Sequence, residues 1–138
     1  MPSTEELATE ALASWETNAE YWDAVIGPEG NKYWSVLQEP SLTRLCKKQL
    51  KKAECAALDL ATGNGLVARW LAINGATTVL ATDGSAAMIN LARKHIQAMP
   101  GRQGNRIATR VLDVTKREAF DELKEALDVS AGCLQAKT

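Results

Sequence analysis

Asp59, Asp83 and Asp113, together with Gly63 and Gly65, are the residues of this chain best placed to do chemistry. In Leu58-Asp59-Leu60-Ala61-Thr62-Gly63-Asn64-Gly65 a short apolar run leads into a turn where two glycines permit a tight backbone and close approach of a ligand. The next residues, Leu66-Val67-Ala68-Arg69-Trp70-Leu71, have helical texture, so the first amides of that helix face whatever the turn holds. Asp83 closes the following apolar run, where a carboxylate accepts hydrogen bonds from the two hydroxyls of a ribose. Gly63-x-Gly65-x-x-Ala68 also fits a relaxed dinucleotide fingerprint. Asp59 argues against that ligand, because a carboxylate beside the turn opposes a pyrophosphate and suits a molecule carrying a sulfonium and an ammonium group. His95, the single histidine, sits on a helical stretch whose polar neighbours predict an outer-surface position, so no catalytic base is named. Cys46, Cys55 and Cys133 lack C-x-x-C spacing, and neither a zinc site nor a disulfide framework is expected.

These residues need elements to hold them. The spacing predicts a helix from Ser3 to about Val25, with Ser3 or Thr4 as N-cap, and a second from about Ser41 to Lys52. Gly27-Pro28-Glu29-Gly30-Asn31 reads as the loop before the second helix. From Ala56 onward short apolar runs and helical stretches alternate: strand to Ala61, helix Leu66 to Asn74, strand Thr77 to Thr82, helix Ser85 to Ala98, strand Ile107 to Leu112, helix Lys116 to Leu127. That alternation predicts an α/β fold with a parallel, Rossmann-like sheet. Val129 to Leu134 is expected as a short strand or an extended segment. Residues 1–52 are read as a helical cap and residues 53–138 as a half-domain bearing the sheet, the two forming one unit.

Taken together, the motifs resemble those of the class I S-adenosylmethionine-dependent methyltransferases, over roughly residues 15 to 120. The family's acid-x-Gly-x-Gly-x-Gly motif is similar to Asp59-Leu60-Ala61-Thr62-Gly63-Asn64-Gly65, with Ala61 in place of the first glycine, a change tolerated where the backbone is extended. Leu80-Ala81-Thr82-Asp83-Gly84-Ser85-Ala86-Ala87-Met88 resembles the second motif, and Val111-Leu112-Asp113-Val114 the third. The resemblance implies S-adenosylmethionine as cofactor and S-adenosylhomocysteine as product. Ala61, Thr62, Gly63, Asn64 and Gly65 would then shape the methionine pocket, with Asp59 orienting the amino group through the loop. Asp83 would bind the ribose, Gly84 and Ser85 would lie against the nucleoside, and Met88 would pack near the adenine or simply in the helix core. Asp113 and Val114 would read the adenine, unless Asp113 is only a helix cap.

In relatives a helical cap closes over the cofactor, which makes Tyr21, Trp22, Tyr33 and Trp34 candidate contacts to the sulfonium or acceptor. The family's strand order, 3-2-1-4-5-7-6, implies that this chain supplies strands 3-2-1 and at most a vestige of strand 4, an incomplete or truncated methyltransferase fold. A small-molecule acceptor is expected, with a homodimer or a partner protein completing the open sheet edge. Two other readings stay open: the same fold without methyl transfer, as a cyclase, isomerase or non-catalytic partner, and an NAD-binding oxidoreductase fragment. With 16 basic and 17 acidic residues the chain lacks the charge of a nucleic-acid binder. No apolar run is long enough to span a bilayer, and the acidic start is unlike a secretory signal, so a cytoplasmic protein is expected.

Overall fold

Ser3 opens the first helix. Its hydroxyl accepts from the Glu6 amide at 3.2 Å while the Glu6 carboxylate accepts from the Ser3 amide at 2.7 Å, a reciprocal cap that pairs two otherwise orphaned donors. In the computed structural model, which describes residues 1–125, α1 covers Thr4–Thr17 and α2 covers Ala19–Ile26. The single helix expected here is therefore broken at Asn18, whose side-chain amide donates to the Ser14 carbonyl at 2.9 Å. Neither glycine nor proline marks that break, and the capping capacity of Asn18 is its one local cause.

Beyond the Gly27–Asn31 loop, the Asn31 side chain accepts from the Trp34 amide at 3.2 Å and starts another helical stretch. It starts at residues 32–33, widens into a π-helical turn, Trp34–Gln38, and continues as α3, Glu39–Leu50, with Pro40 in the first turn of α3. The sequence placed this helix only from Ser41, since a wide turn has no hydrophobic period of its own to betray it.

Next come β1 (Ala56–Leu60), α4 (Leu66–Ile73), β2 (Thr78–Asp83), α5 (Ala86–Gln97), a 3₁₀ turn (Gln103–Arg106), β3 (Ile107–Val111) and helical residues 117–125, here α6. The three strands are parallel in the order β1-β2-β3, which is the expected 3-2-1 arrangement. Register sets Asp59 beside Ala81 and Asp83 beside Val111, so the carboxyl ends of all three strands open at one rim. Ala68 and Ala72 of α4 are fully buried with Ala76, Val79 and Ala81, and their small side chains let α4 lie close to the sheet. Ile89 on α5 is fully buried as well, a side chain worth about 2 to 3 kcal/mol of burial.

The opposite face of β1 is different. Leu58 and Leu60 are 45% and 44% exposed, and β1 pairs only with β2 among the described residues. Val129 to Leu134, expected as a strand or extended segment, lies outside the described residues. No helix among them is long and apolar enough to cross a membrane.

Candidate functional site

A cavity of about 650 Å³ opens at the carboxyl ends of the strands. One wall is the glycine turn after β1, where Ala61, Thr62, Gly63 and Asn64 face the space. A second is formed by Asp83, Gly84 and Met88 at the end of β2 and the start of α5, and a third by Asp113, Val114 and Thr115 after β3. The N-terminal helices close the remainder with Ala8, Ala11, Leu12 and Trp15 of α1 and with Ile26, Asn31, Tyr33, Trp34 and Gln38. No lysine, arginine or histidine lines it among the described residues.

The glycine turn is closed by its own Gly65 amide, which donates to the Thr62 carbonyl at 2.9 Å, and is braced by side chains as well. Gly63 donates its amide to Asp83 Oδ2 at 2.9 Å, and the Ser85 amide donates to Asp83 Oδ1 at 2.9 Å, so one carboxylate spans two turns. Gly65 is left-handed at φ 78°, and a β-carbon there would stand 3.1 Å from the Ala92 methyl; the first turn of α4 is therefore tight against α5. Ala61 is left-handed too, at φ 55°. This corrects the expectation of extended backbone at that position: the alanine takes a conformation in which glycine is unstrained, at a cost of about 1 to 2 kcal/mol.

Asp59 does not reach the cavity wall. It lies beneath the turn, accepting from the Thr62 hydroxyl at 2.7 Å, and burial pushes its carboxyl above the ordinary value despite the Thr62 and Ala68 hydrogen bonds, with the charge of Asp83 adding to the rise. Asp113 behaves oppositely. Its carboxylate accepts from the Thr115 hydroxyl at 2.6 Å and from the Thr115 amide at 3.0 Å, and these bonds hold it below the ordinary value while it still faces the cavity.

Ser85 is fully buried as the N-cap of α5, accepting from the Met88 amide at 3.1 Å, and is no part of the cavity wall. Met88 is buried and also lines the cavity. Of the four aromatics expected at the site, Tyr33 and Trp34 line the cavity. Tyr21 and Trp22 do not; they meet edge to face at 5.5 Å, and Trp22 packs on Trp15 at 5.7 Å. Trp34 in turn meets Trp70 edge-on at 6.4 Å, which fixes the π-helical turn against α4.

His95 is not on the outer surface. Its Nε2 lies 2.7 Å from Asp23 Oδ1, beneath α2, because α2 packs across α5 and covers it. Asp23 also accepts from Asn64 Nδ2 at 2.9 Å, and Arg69, nearly fully buried, donates to the Asn64 carbonyl at 2.9 Å and the Pro28 carbonyl at 2.8 Å. Burial alone would raise the Asp23 carboxyl, but the bonds from Asn64 and His95 and the nearby charges of His95 and Arg69 outweigh it, and the group sits below its ordinary value. This network ties the glycine turn to the cap. Sequence reading missed Asp23, Arg69, Gln38 and Glu16; only Arg69, a cation inside an apolar helix, carried a signal that it needed buried partners.

The arrangement is one of carboxylates and apolar walls around the glycine turn, with no cationic side chain lining it among the described residues. No curated protein matches the chain. Among solved structures it is similar to the DhpI-SAH complex, with 23% identity over 80% of this chain and 47% of that one and a TM-score of 0.55. It is also similar to the DhpI-SAM-HEP complex, with 24% identity over 80% of this chain and 44% of that one and a TM-score of 0.51. The chain thus spans less than half the length of these solved chains, and the likeness is one of fold. The sequence profile described as a methyltransferase domain matches residues 57–135, more than half the chain and the run from the second residue of β1 through β3. With that match on the strands and turns that build the cavity, this chain belongs to the methyltransferase-domain family.

Proposed function

We propose that this chain binds S-adenosylmethionine and takes part in methyl transfer to a small-molecule acceptor, leaving S-adenosylhomocysteine. One observation carries the reading: the Asp83 and Asp113 carboxylates lie on the same cavity as the Thr62-Gly63-Asn64 turn, and no cation lines it among the described residues. Such a wall fits a nucleoside joined to a cationic chain, and it disfavours a dinucleotide, whose pyrophosphate would meet like charge.

In this reading Asp83 accepts from the ribose hydroxyls with the lone pairs left over from Gly63 and Ser85. Asp113 and Val114 read the adenine, Met88 packs beside it, and Gly84 lets the nucleoside lie flat. The turn from Ala61 to Asn64 lines the methionine portion, with Gly65 packed behind it against Ala92 and Asp59 beneath it as a carboxylate favouring a nearby ammonium. Tyr33 and Trp34 offer aromatic faces toward positive charge. The bound cofactor supplies an electrophilic methyl group; the chain's own residues orient it and exclude water, and proximity accounts for the rate without a named base.

The exposed Leu58 and Leu60 and the side of β1 that has no paired strand among the described residues support a further part of the proposal, that a second copy or a partner protein completes the sheet there. The same observation favours a second reading in which the chain keeps the fold and the ligand but performs no transfer. Incubation of the purified chain with labelled S-adenosylmethionine and a panel of small hydroxyl, amine and thiol acceptors separates the two. Formation of S-adenosylhomocysteine with any acceptor supports transfer. Tight cofactor binding with no product across the panel supports the non-transferring reading instead.

A further inference from the structure

No residue of α1 is buried. Its apolar stripe, Ala8, Ala11, Leu12 and Trp15, recurs at helical spacing yet faces the cavity, so the helix has almost no protein core to hold it down. Two contacts fasten it to the nucleoside end of the site. Leu12 sits so close to the second motif that a β-carbon on Gly84 would stand 3.1 Å from Leu12 Cδ1. Glu16 makes the other: its carboxylate accepts a hydrogen bond from the Ser85 hydroxyl and accepts from the Ala87 amide at 3.1 and 3.2 Å through its two oxygens.

The Ala87 amide is an orphan donor of the first turn of α5, where a negative charge is also favoured by the helix dipole. Glu16 therefore satisfies a group that α5 cannot satisfy itself, from a helix that is otherwise loosely attached. We infer that Glu16 is a positioning residue: it latches α1 onto the start of α5, and through that latch holds the Ala8-Ala11-Leu12-Trp15 face over bound cofactor. The part concerning affinity rests on the proposed cofactor; the latch itself does not. A filled cavity gives the apolar face of α1 the partner it lacks, so ligand and latch reinforce one another.

The test compares the full chain with Glu16→Ala, Glu16→Gln and, as a charge-matched control on the same helix, Glu10→Ala. Hydrogen exchange is followed by mass spectrometry with and without S-adenosylhomocysteine, and affinity for that ligand is titrated in parallel. In the ligand-free protein Glu16→Ala should speed exchange across Thr4–Thr17 while leaving β2 and β3 unchanged, and Glu10→Ala should do neither. Affinity should fall about tenfold in Glu16→Ala, with partial recovery in Glu16→Gln, which keeps an acceptor for the Ala87 amide. Unchanged α1 exchange in Glu16→Ala overturns the latch. Faster exchange with unchanged affinity overturns its role in positioning. If the unaltered chain takes up no S-adenosylhomocysteine, the cofactor reading falls, and the affinity role with it, while the ligand-free exchange still decides the latch.

Discussion

The Asp83 carboxylate holds the Gly63 amide at 2.9 Å across the gap between two strands, while its other oxygen holds Ser85. The acid at the end of β2 thus braces the glycine turn after β1 as well as facing the cavity. A residue with both duties separates by substitution. Asp83→Ala leaves two amides without their acceptor and should lower stability by about 1 to 3 kcal/mol together with cofactor affinity. Asp83→Asn retains one acceptor and should keep most of the stability while still losing affinity at least about tenfold, since one of its polar ends can no longer accept. Thermal melts beside ligand titrations of the two variants check this.

Ala61 offers a change in the other direction. Its left-handed backbone is strained for a side chain, so Ala61→Gly should stabilise the ligand-free protein by about 0.5 to 1 kcal/mol once the greater freedom of the unfolded glycine is deducted. A chemical denaturation midpoint that falls instead would show that the Ala61 methyl makes packing contacts worth more than the strain.

For Asp59 the signs of stability and binding diverge. Its carboxyl is raised by burial, so between the unfolded value near 3.9 and its folded value the native state holds more protons than the unfolded one, and stability declines as pH rises through that window. Asp59→Asn should therefore raise the neutral-pH melting temperature of the free protein yet weaken binding of a cationic ligand. The same logic predicts proton release when S-adenosylmethionine binds at a pH near the raised value, and almost none well above it. Calorimetry in two buffers of different ionisation enthalpy measures that release.

Asp23, held low by Asn64, His95 and Arg69, carries the opposite linkage. The stability it contributes is complete above the unfolded value of about 3.9 and is lost as pH falls through its lower folded value. The gap in melting temperature between the native chain and Asp23→Asn should then shrink as pH falls below about 4. A gap that persists undiminished in acid would mean that Asp23 acts by shape rather than by charge.

Much of this arrangement was legible in the sequence, and the reason is chemical. Strands such as Ala56–Leu60 and Thr78–Asp83 announce themselves by short apolar runs, and Asp83, Gly63 and Asp113 by falling at their carboxyl ends. What escaped were the relations between distant elements. The tilt of α2 over α5, which draws His95 under Asp23, depends on a helix break at Asn18 that no Gly or Pro signals. Nothing in the sequence singles out Glu16, whose partners, the Ser85 hydroxyl and the Ala87 amide, lie about 70 residues away on another helix. Ala61 was misread because its identity says nothing of φ; a glycine there would have been read correctly.

The most direct test of the central claim is a calorimetric titration of the purified chain with S-adenosylmethionine, S-adenosylhomocysteine and NAD in parallel, with Asp83→Asn alongside. The account predicts micromolar binding of the first two, none of NAD, and loss of that binding in the variant. Binding of NAD, or equal affinity in Asp83→Asn, would contradict it.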